Sequence, residues 1–384
     1  MKLHLKKSCL AVACSMGIGF SAQAATLDLT PYGYVTYGDA NSYSLPINAL
    51  QYDATFGGGT GPGNPNYITS TPGAIQDLVV IATGASGTGV NNNYAGMDNA
   101  YPTPNGTGET FFSTGTSTDP GTGQPVSNTF PGFVGDQSNT WDTTLSALQT
   151  FLGTSASGPN DPVFFFNNNQ VNSGASTNQN LAVWARVTIT NALGELEGSW
   201  YLTNRDKAFT SPLAPPYTNT SGGIFNGNPG DYSSSALNPI AGTNTATDYV
   251  LSGGKICVNA FFAPVPCGTD GASDPINHNL GANQAAYAVL FPEMNTLLNG
   301  LFKTAGLDLS QYAMHVDLRM GCDPAATDCV GRSLNNGYEQ VFMGSTGSDF
   351  VNTVPEPATL ALIGLGILGF GWSRRERASL AFSV

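Results

Sequence analysis

Apolar and polar residues alternate along the middle of the chain in short runs. Leu181, Val183, Ala185, Val187 and Ile189 fall on one side of a two-residue period, with Trp184, Arg186 and Thr188 between them. Asn191-Ala192-Leu193-Gly194 interrupts the run and residues 196–203 resume it, which predicts a β-hairpin. Tyr312, Met314, Val316, Leu318 and Met320 share one face of another expected strand, and further strands are expected at 78–82, 163–166, 256–262 and 338–343. Two stretches switch to helical spacing. In 141–152, Trp141, Leu145, Leu148 and Leu152 form a stripe that stops at Gly153; in 292–305, Pro292 suits the first helical position and Met294, Leu297, Leu298, Leu301 and Phe302 form the buried face, with Gly306 as the stop. Glycine- and proline-dense segments at 57–65 and 115–125 exclude helix interiors, and 211–247 reads as a long loop or an internal boundary. The expected fold is mainly β: a β-sandwich or jelly-roll-like ectodomain with two short helices, plus a C-terminal hydrophobic helix.

The two ends depart from this pattern. Lys2, Lys6 and Lys7 precede an apolar run, Cys9 to Phe20, and Ala22-Gln23-Ala24 has the form of a cleavage site. Residues 1–24 therefore read as an export signal, with Ala22 and Ala24 set for processing. Near the other end, Val354-Pro355-Glu356-Pro357-Ala358 leads into an uncharged apolar segment, 358–372, and then Arg374, Arg375, Glu376 and Arg377. The two prolines hold the chain extended. The arginines would keep the end of a membrane segment on the cytoplasmic side. At about 15 residues the run is shorter than the roughly 20 of a permanent span, which suits a transient anchor.

Residues 354–377 closely resemble the PEP-CTERM sorting signal of Gram-negative bacteria. That resemblance implies processing by exosortase, a transpeptidase-like membrane enzyme, in an organism that makes exopolysaccharide. Pro355, Glu356 and Pro357 then form the sorting motif, Arg374, Arg375 and Arg377 the membrane stop, and 378–384 an additional tail. The expected route runs through the export machinery to an inner-membrane intermediate, then to the cell surface or extracellular matrix. Residues 25–353 are left as the ectodomain, and 334–340 and 317–322 look similar to segments of other PEP-CTERM ectodomains.

Charge narrows the partners. Removing both signals takes basic residues from 13 to 7 and acidic ones from 26 to 24, so the net charge moves from −13 to about −17. Nucleic acid and anionic lipid both need a basic footprint, so neither is an expected partner. A surface hydrated by Asn, Ser, Thr and Gly suits an exported protein, and also contact with neutral exopolysaccharide. The four cysteines beyond the signal, Cys257, Cys267, Cys322 and Cys329, allow three pairings; the short-loop pairs Cys257–Cys267 and Cys322–Cys329 are expected in an oxidising compartment.

Catalytic motifs are missing: the sequence has no G-x-S-x-G, H-E-x-x-H or phosphate-binding loop. His315, Asp317 and Arg319 share a strand face and could orient a general base, although a surface ladder of opposite charges explains the same spacing. Phe164-Phe165-Phe166 followed by Asn167-Asn168-Asn169 reads either as a sugar-binding cluster or as a buried strand running into a turn. Asp28, Asp39, Asp98, Asp136, Asp274 and Asp323 lie near turns and could supply Ca²⁺ oxygens, but without the spacing of a Ca²⁺ loop; no cofactor is expected. Three functions compete: a non-enzymatic surface or matrix protein associated with exopolysaccharide or biofilm, a glycan-binding module, and an extracellular hydrolase.

Overall fold

The computed structural model describes residues 27–29, 31–71, 75, 78–84, 93–103, 111–114, 133–137, 140–155, 158–169, 181–203, 250–265, 267–268, 270–321, 334 and 338–346. The strands are β1 (Val35–Tyr37), β2 (Ala40–Ser44), β3 (Val79–Thr83), β4 (Tyr101–Pro102), β5 (Phe111–Ser113), β6 (Trp141–Thr144), β7 (Thr154–Ser155), β8 (Gly158–Pro159), β9 (Asp161–Asn167), β10 (Leu181–Thr190), β11 (Leu196–Leu202), β12 (Val250–Ser252), β13 (Lys255–Val258), β14 (Pro264–Val265), β15 (Ile276–Asn277), β16 (Tyr287–Leu290), β17 (Ala313–Gly321) and β18 (Gln340–Thr346). The helices are α1 (Leu45–Phe56), α2 (Leu145–Leu152) and α3 (Pro292–Lys303).

The fold is mainly β and built on two large sheets. The first has the order β1-β2-β16-β9-β18-β3-β4, antiparallel except for the β3–β4 pair. The second runs β11-β10-β17-β5, with β12 added to β10 and β6 added to β17. Their facing sides share one core. Phe164, Phe166, Val289, Val341 and Met343 come from the first sheet, and Val183, Val187, Met314, Val316, Leu318 and Leu202 from the second. The first sheet is also covered on its other side, where Val80, Val163, Phe165, Ala288 and Phe342 pack with Leu27, Leu29, Ile68 and Ile75. Burial on both faces explains why β3 and β9 read as continuous apolar runs instead of alternating.

The 181–203 hairpin forms as expected: β10 and β11 pair from Ala185↔Leu202 to Thr190↔Leu196, and the Gly194 amide donates to Asn191 O across the turn. Strand β17 presents Met314, Val316, Leu318 and Met320 to the inter-sheet core. The 256–262 expectation is too long, since β13 ends at Val258.

The helical expectations need two corrections. Residues 141–144 form β6, paired to β17, so Trp141 belongs to a strand; the helix is α2 alone, capped by the Thr144 hydroxyl, which accepts from the Ala147 amide at 3.2 Å. And α1 was not expected. Its apolar residues make no clear stripe, but Ser44 caps it, Pro46 stands in its first turn, and Gly57, at φ +73, ends it. Helix α3 matches its periodicity but stops at Lys303, before Gly306.

Candidate functional site

A cavity of about 240 Å³ opens at one end of the sandwich, between the two sheets. Strands β1, β2, β9 and β16, Tyr34 just before β1 and the first turns of α1 supply Tyr34, Tyr37, Ser42, Ser44, Asn48, Gln51, Phe166 and Tyr287; the second sheet supplies Val183, Leu202, Val250 and Ser252. Among the described residues, no lining side chain is charged. Asn48 is almost completely buried, yet its Nδ2 has no hydrogen-bond partner, and neither does the Gln51 Oε1. Each is a buried polar atom left unsatisfied within the wall of the hollow, a costly arrangement.

Phe261 stands at the mouth of the cavity, 87 % exposed. Its loop is tightly built. The Asn259 side-chain oxygen accepts from the Phe261 amide at 2.9 Å and the Ala263 amide at 3.1 Å, and Phe262 adopts φ +59. The loop joins β13 to β14, and a Cys257–Cys267 disulfide closes it, with Cα atoms 5.1 Å apart. Cys322 and Cys329 lie outside the described residues.

Ser44 and His278 meet at the cavity wall. The Ser44 Oγ and His278 Nε2 are 2.6 Å apart, and His278 Nδ1 lies 3.0 Å from the Ile276 carbonyl. A carbonyl can only accept, so Nδ1 carries the proton and Ser44 donates to Nε2. Burial pushes the His278 pKa down to about 4, which keeps the ring neutral. The Ser44 oxygen also accepts from the Ile47 amide at the start of α1. Attack by Ser44 would require the buried ring to take up a proton, and its surroundings oppose that. The pair acts as a lock between α1 and the segment around β15. His278 also stacks on Tyr287, ring centroids 5.2 Å apart, and so firms that wall.

The Phe-Asn junction is a buried strand running into a turn. Phe164, Phe165, Phe166, Asn167 and Asn168 are all buried. The Asn167 amide donates to Ser70 Oγ and Gly281 O, and the Asn168 amide donates to His278 O. Only Phe166 reaches the cavity.

His315, Asp317 and Arg319 share one face of β17, but that face is not a surface ladder. His315 and Asp317 are buried, and Arg319 is mostly so. The His315 carboxylate partner is Asp142, across the β6–β17 pair, at 2.9 Å from Nδ1. The Thr190 hydroxyl lies 2.8 Å from its Nε2. Asp317 instead holds Arg319 through two contacts, at 3.0 and 3.1 Å, and Arg319 lies over the Trp184 ring. The sequence spacing identified the face but not Asp142.

Among the six turn aspartates, Asp98 and Asp136 converge, and they do so with Asp142. Burial, reinforced by the charge of Asp142, pushes the Asp98 pKa up to about 8. Asp39 is used elsewhere: its carboxylate accepts from the Tyr201 amide at 3.0 Å, and Asp323 lies outside the described residues.

Among the described residues, no helix is long and apolar enough to cross a membrane. The 358–372 segment, the sorting residues Pro355, Glu356 and Pro357, the arginines that follow, the Ala22 and Ala24 processing site and the 211–247 stretch all lie outside them. Comparison with known proteins finds the PEP-CTERM protein-sorting motif at residues 353–375. That motif makes this an exported protein processed by exosortase through a membrane-anchored intermediate. No curated protein and no solved structure matches the chain. Residues 26–319 match a family described as a domain of unknown function, DUF8239, and the protein belongs to that family.

Proposed function

We propose that this is a non-enzymatic protein of the cell surface or extracellular matrix, and that its end cavity holds a neutral sugar unit of exopolysaccharide. The observation that carries the reading is a hollow whose described lining is uncharged and made of tyrosines, serines, amide and apolar side chains, with the exposed Phe261 at its mouth. Sugars offer hydroxyls that both donate and accept, which suits the serine and tyrosine side chains of the lining, and apolar ring faces that pack on aromatic side chains. A pocket of apolar walls with a few convergent polar groups is the usual form of a small-ligand site. The acidic balance of the chain also disfavours anionic ligands.

The test is calorimetric titration of the full chain, purified in detergent, with neutral hexose oligosaccharides and with fragments of the host exopolysaccharide. Saturable binding that weakens at least tenfold in Phe261→Ala and Gln51→Ala is expected. Binding to none of these, or equal binding by both variants, overturns the reading. Covalent labelling of Ser44 by an active-site phosphonate would replace it with a hydrolase.

A further inference from the structure

Three carboxylates from separate stretches of chain meet beside β6. The 96–98 segment pairs with β6: the Asp98 amide donates to Asp142 O and the Thr144 amide to Gly96 O, both at 2.8 Å. That pairing sets Asp98 against Asp142. A turn closed from the Asp136 amide to Phe133 O, at 3.2 Å, brings in Asp136. One oxygen of each lies within 4.8 Å of the others. Like charges this close repel strongly where water is scarce.

The hydrogen bonds leave the cluster incomplete. Asp98 Oδ2 accepts from the Asp142 amide at 2.8 Å, but Oδ1 is buried with no partner, on a residue only 1 % exposed. The Oδ1 of Asp136 is likewise buried and unpartnered, although the residue itself is half-buried. Asp142 is the most engaged: Oδ1 accepts from Thr140 Oγ1 and His315 Nδ1, while Oδ2 accepts from the Gln137 amide and has a second lone pair for a cation. Among the described residues no lysine or arginine makes a salt bridge to the three, and the hydrogen bond from His315 goes to Asp142.

We propose that Asp98, Asp136 and Asp142 bind a divalent, oxygen-preferring cation, namely Ca²⁺. The donor set is all oxygen, which suits a hard cation and disfavours zinc. Both His315 nitrogens are occupied, so the ring orients Asp142 and does not ligate, as a neighbouring group commonly does behind a metal carboxylate. Half-buried Asp136 gives the ion a way in from solvent and leaves room for water ligands. The site would tie the 96–98 segment and the 133–137 turn to β6.

The test uses the full chain in detergent, stripped with EDTA and titrated calorimetrically with Ca²⁺, Mg²⁺ and Zn²⁺, alongside thermal melts. One Ca²⁺ per chain is expected, with a rise in melting temperature that grows with Ca²⁺ concentration. Asp136→Asn should weaken Ca²⁺ binding at least tenfold and leave the metal-free melt close to wild type, because its free oxygen loses no partner. Asp98→Asn should abolish the Ca²⁺ response while the metal-free chain melts no lower than wild type, because Asn is uncharged and keeps an oxygen to accept from the Asp142 amide. No binding at millimolar Ca²⁺ overturns the proposal. So does tighter binding of Mg²⁺ or Zn²⁺, or unchanged Ca²⁺ binding in both variants.

Discussion

Glu339, immediately before β18, offers a quantitative test of how buried polar groups shape this protein. The residue is fully buried, and no other residue hydrogen-bonds to its carboxylate oxygens; its own backbone amide offsets the burial only in part. Burial pushes its pKa up to about 7 from 4.5. A raised carboxyl pKa means that the folded state favours the proton, so stability is full below pH 4.5 and falls as pH rises through 7. Between pH 5 and pH 8 the loss integrates to about 2.5 kcal/mol. His278 works against it over part of this range: its depressed pKa gives stability that is present above pH 6.5 and lost towards pH 4. The wild-type profile therefore mixes these with Asp98, whose raised pKa also lowers stability as pH rises, and Glu339→Gln isolates the share of Glu339. Urea denaturation of wild type and variant at pH 5 and pH 8 gives two differences in unfolding free energy. Any cost of fitting the amide is the same at both, so it cancels. The variant should gain about 2–3 kcal/mol relative to wild type on going from pH 5 to pH 8. Equal differences at the two pH values would refute the account of Glu339 as a buried acid with a raised pKa.

Two further outcomes follow from the stitching around the cavity. Gly38 sits at φ +63, and an added Cβ would lie 2.6 Å from Tyr201 O, where the β1–β2 turn meets β11. Gly38→Ala should cost about 2 kcal/mol or more in urea denaturation; a loss under about 0.5 kcal/mol would contradict that close approach. Opening Cys257–Cys267 with a reductant should cost roughly 2–3 kcal/mol at most and should weaken oligosaccharide binding, because the Phe261 loop loses its tie. Unchanged affinity after reduction would show that the loop holds Phe261 without the bond.

Much of the fold was legible because its signals are local. The 181–203 hairpin carries both its alternation and its turn within 23 residues, and α3 carries its proline start and apolar stripe in one segment. Helix α1 was missed because its burial is divided between two cores, Ile47 facing one and Leu45 the other, so no single stripe emerges. Its punctuation by Ser44, Pro46 and Gly57 could have marked it. Trp141 fits the helical period of α2 by coincidence and is drawn into β6 by pairing with Val316. The site contacts are long-range. Ser44 and His278 are 234 residues apart and Asp142 and His315 are 173 apart, separations that no spacing rule spans. His315, Asp317 and Arg319 showed the correct periodicity, but their burial depended on what the fold placed against that face.

The measurement that bears most directly on the whole account is the intact mass of the chain recovered from the cell surface and from the inner membrane of its host. The surface form should begin near Ala25, and it should end near Pro355-Glu356-Pro357 with the apolar segment and Arg374, Arg375 and Arg377 gone. Replacing Pro355-Glu356-Pro357 by three alanines should leave the tail attached and the protein in the inner membrane. A surface form that retains residues 358–377, or an alanine variant that reaches the surface and loses its tail as fast as wild type, would contradict sorting through this motif.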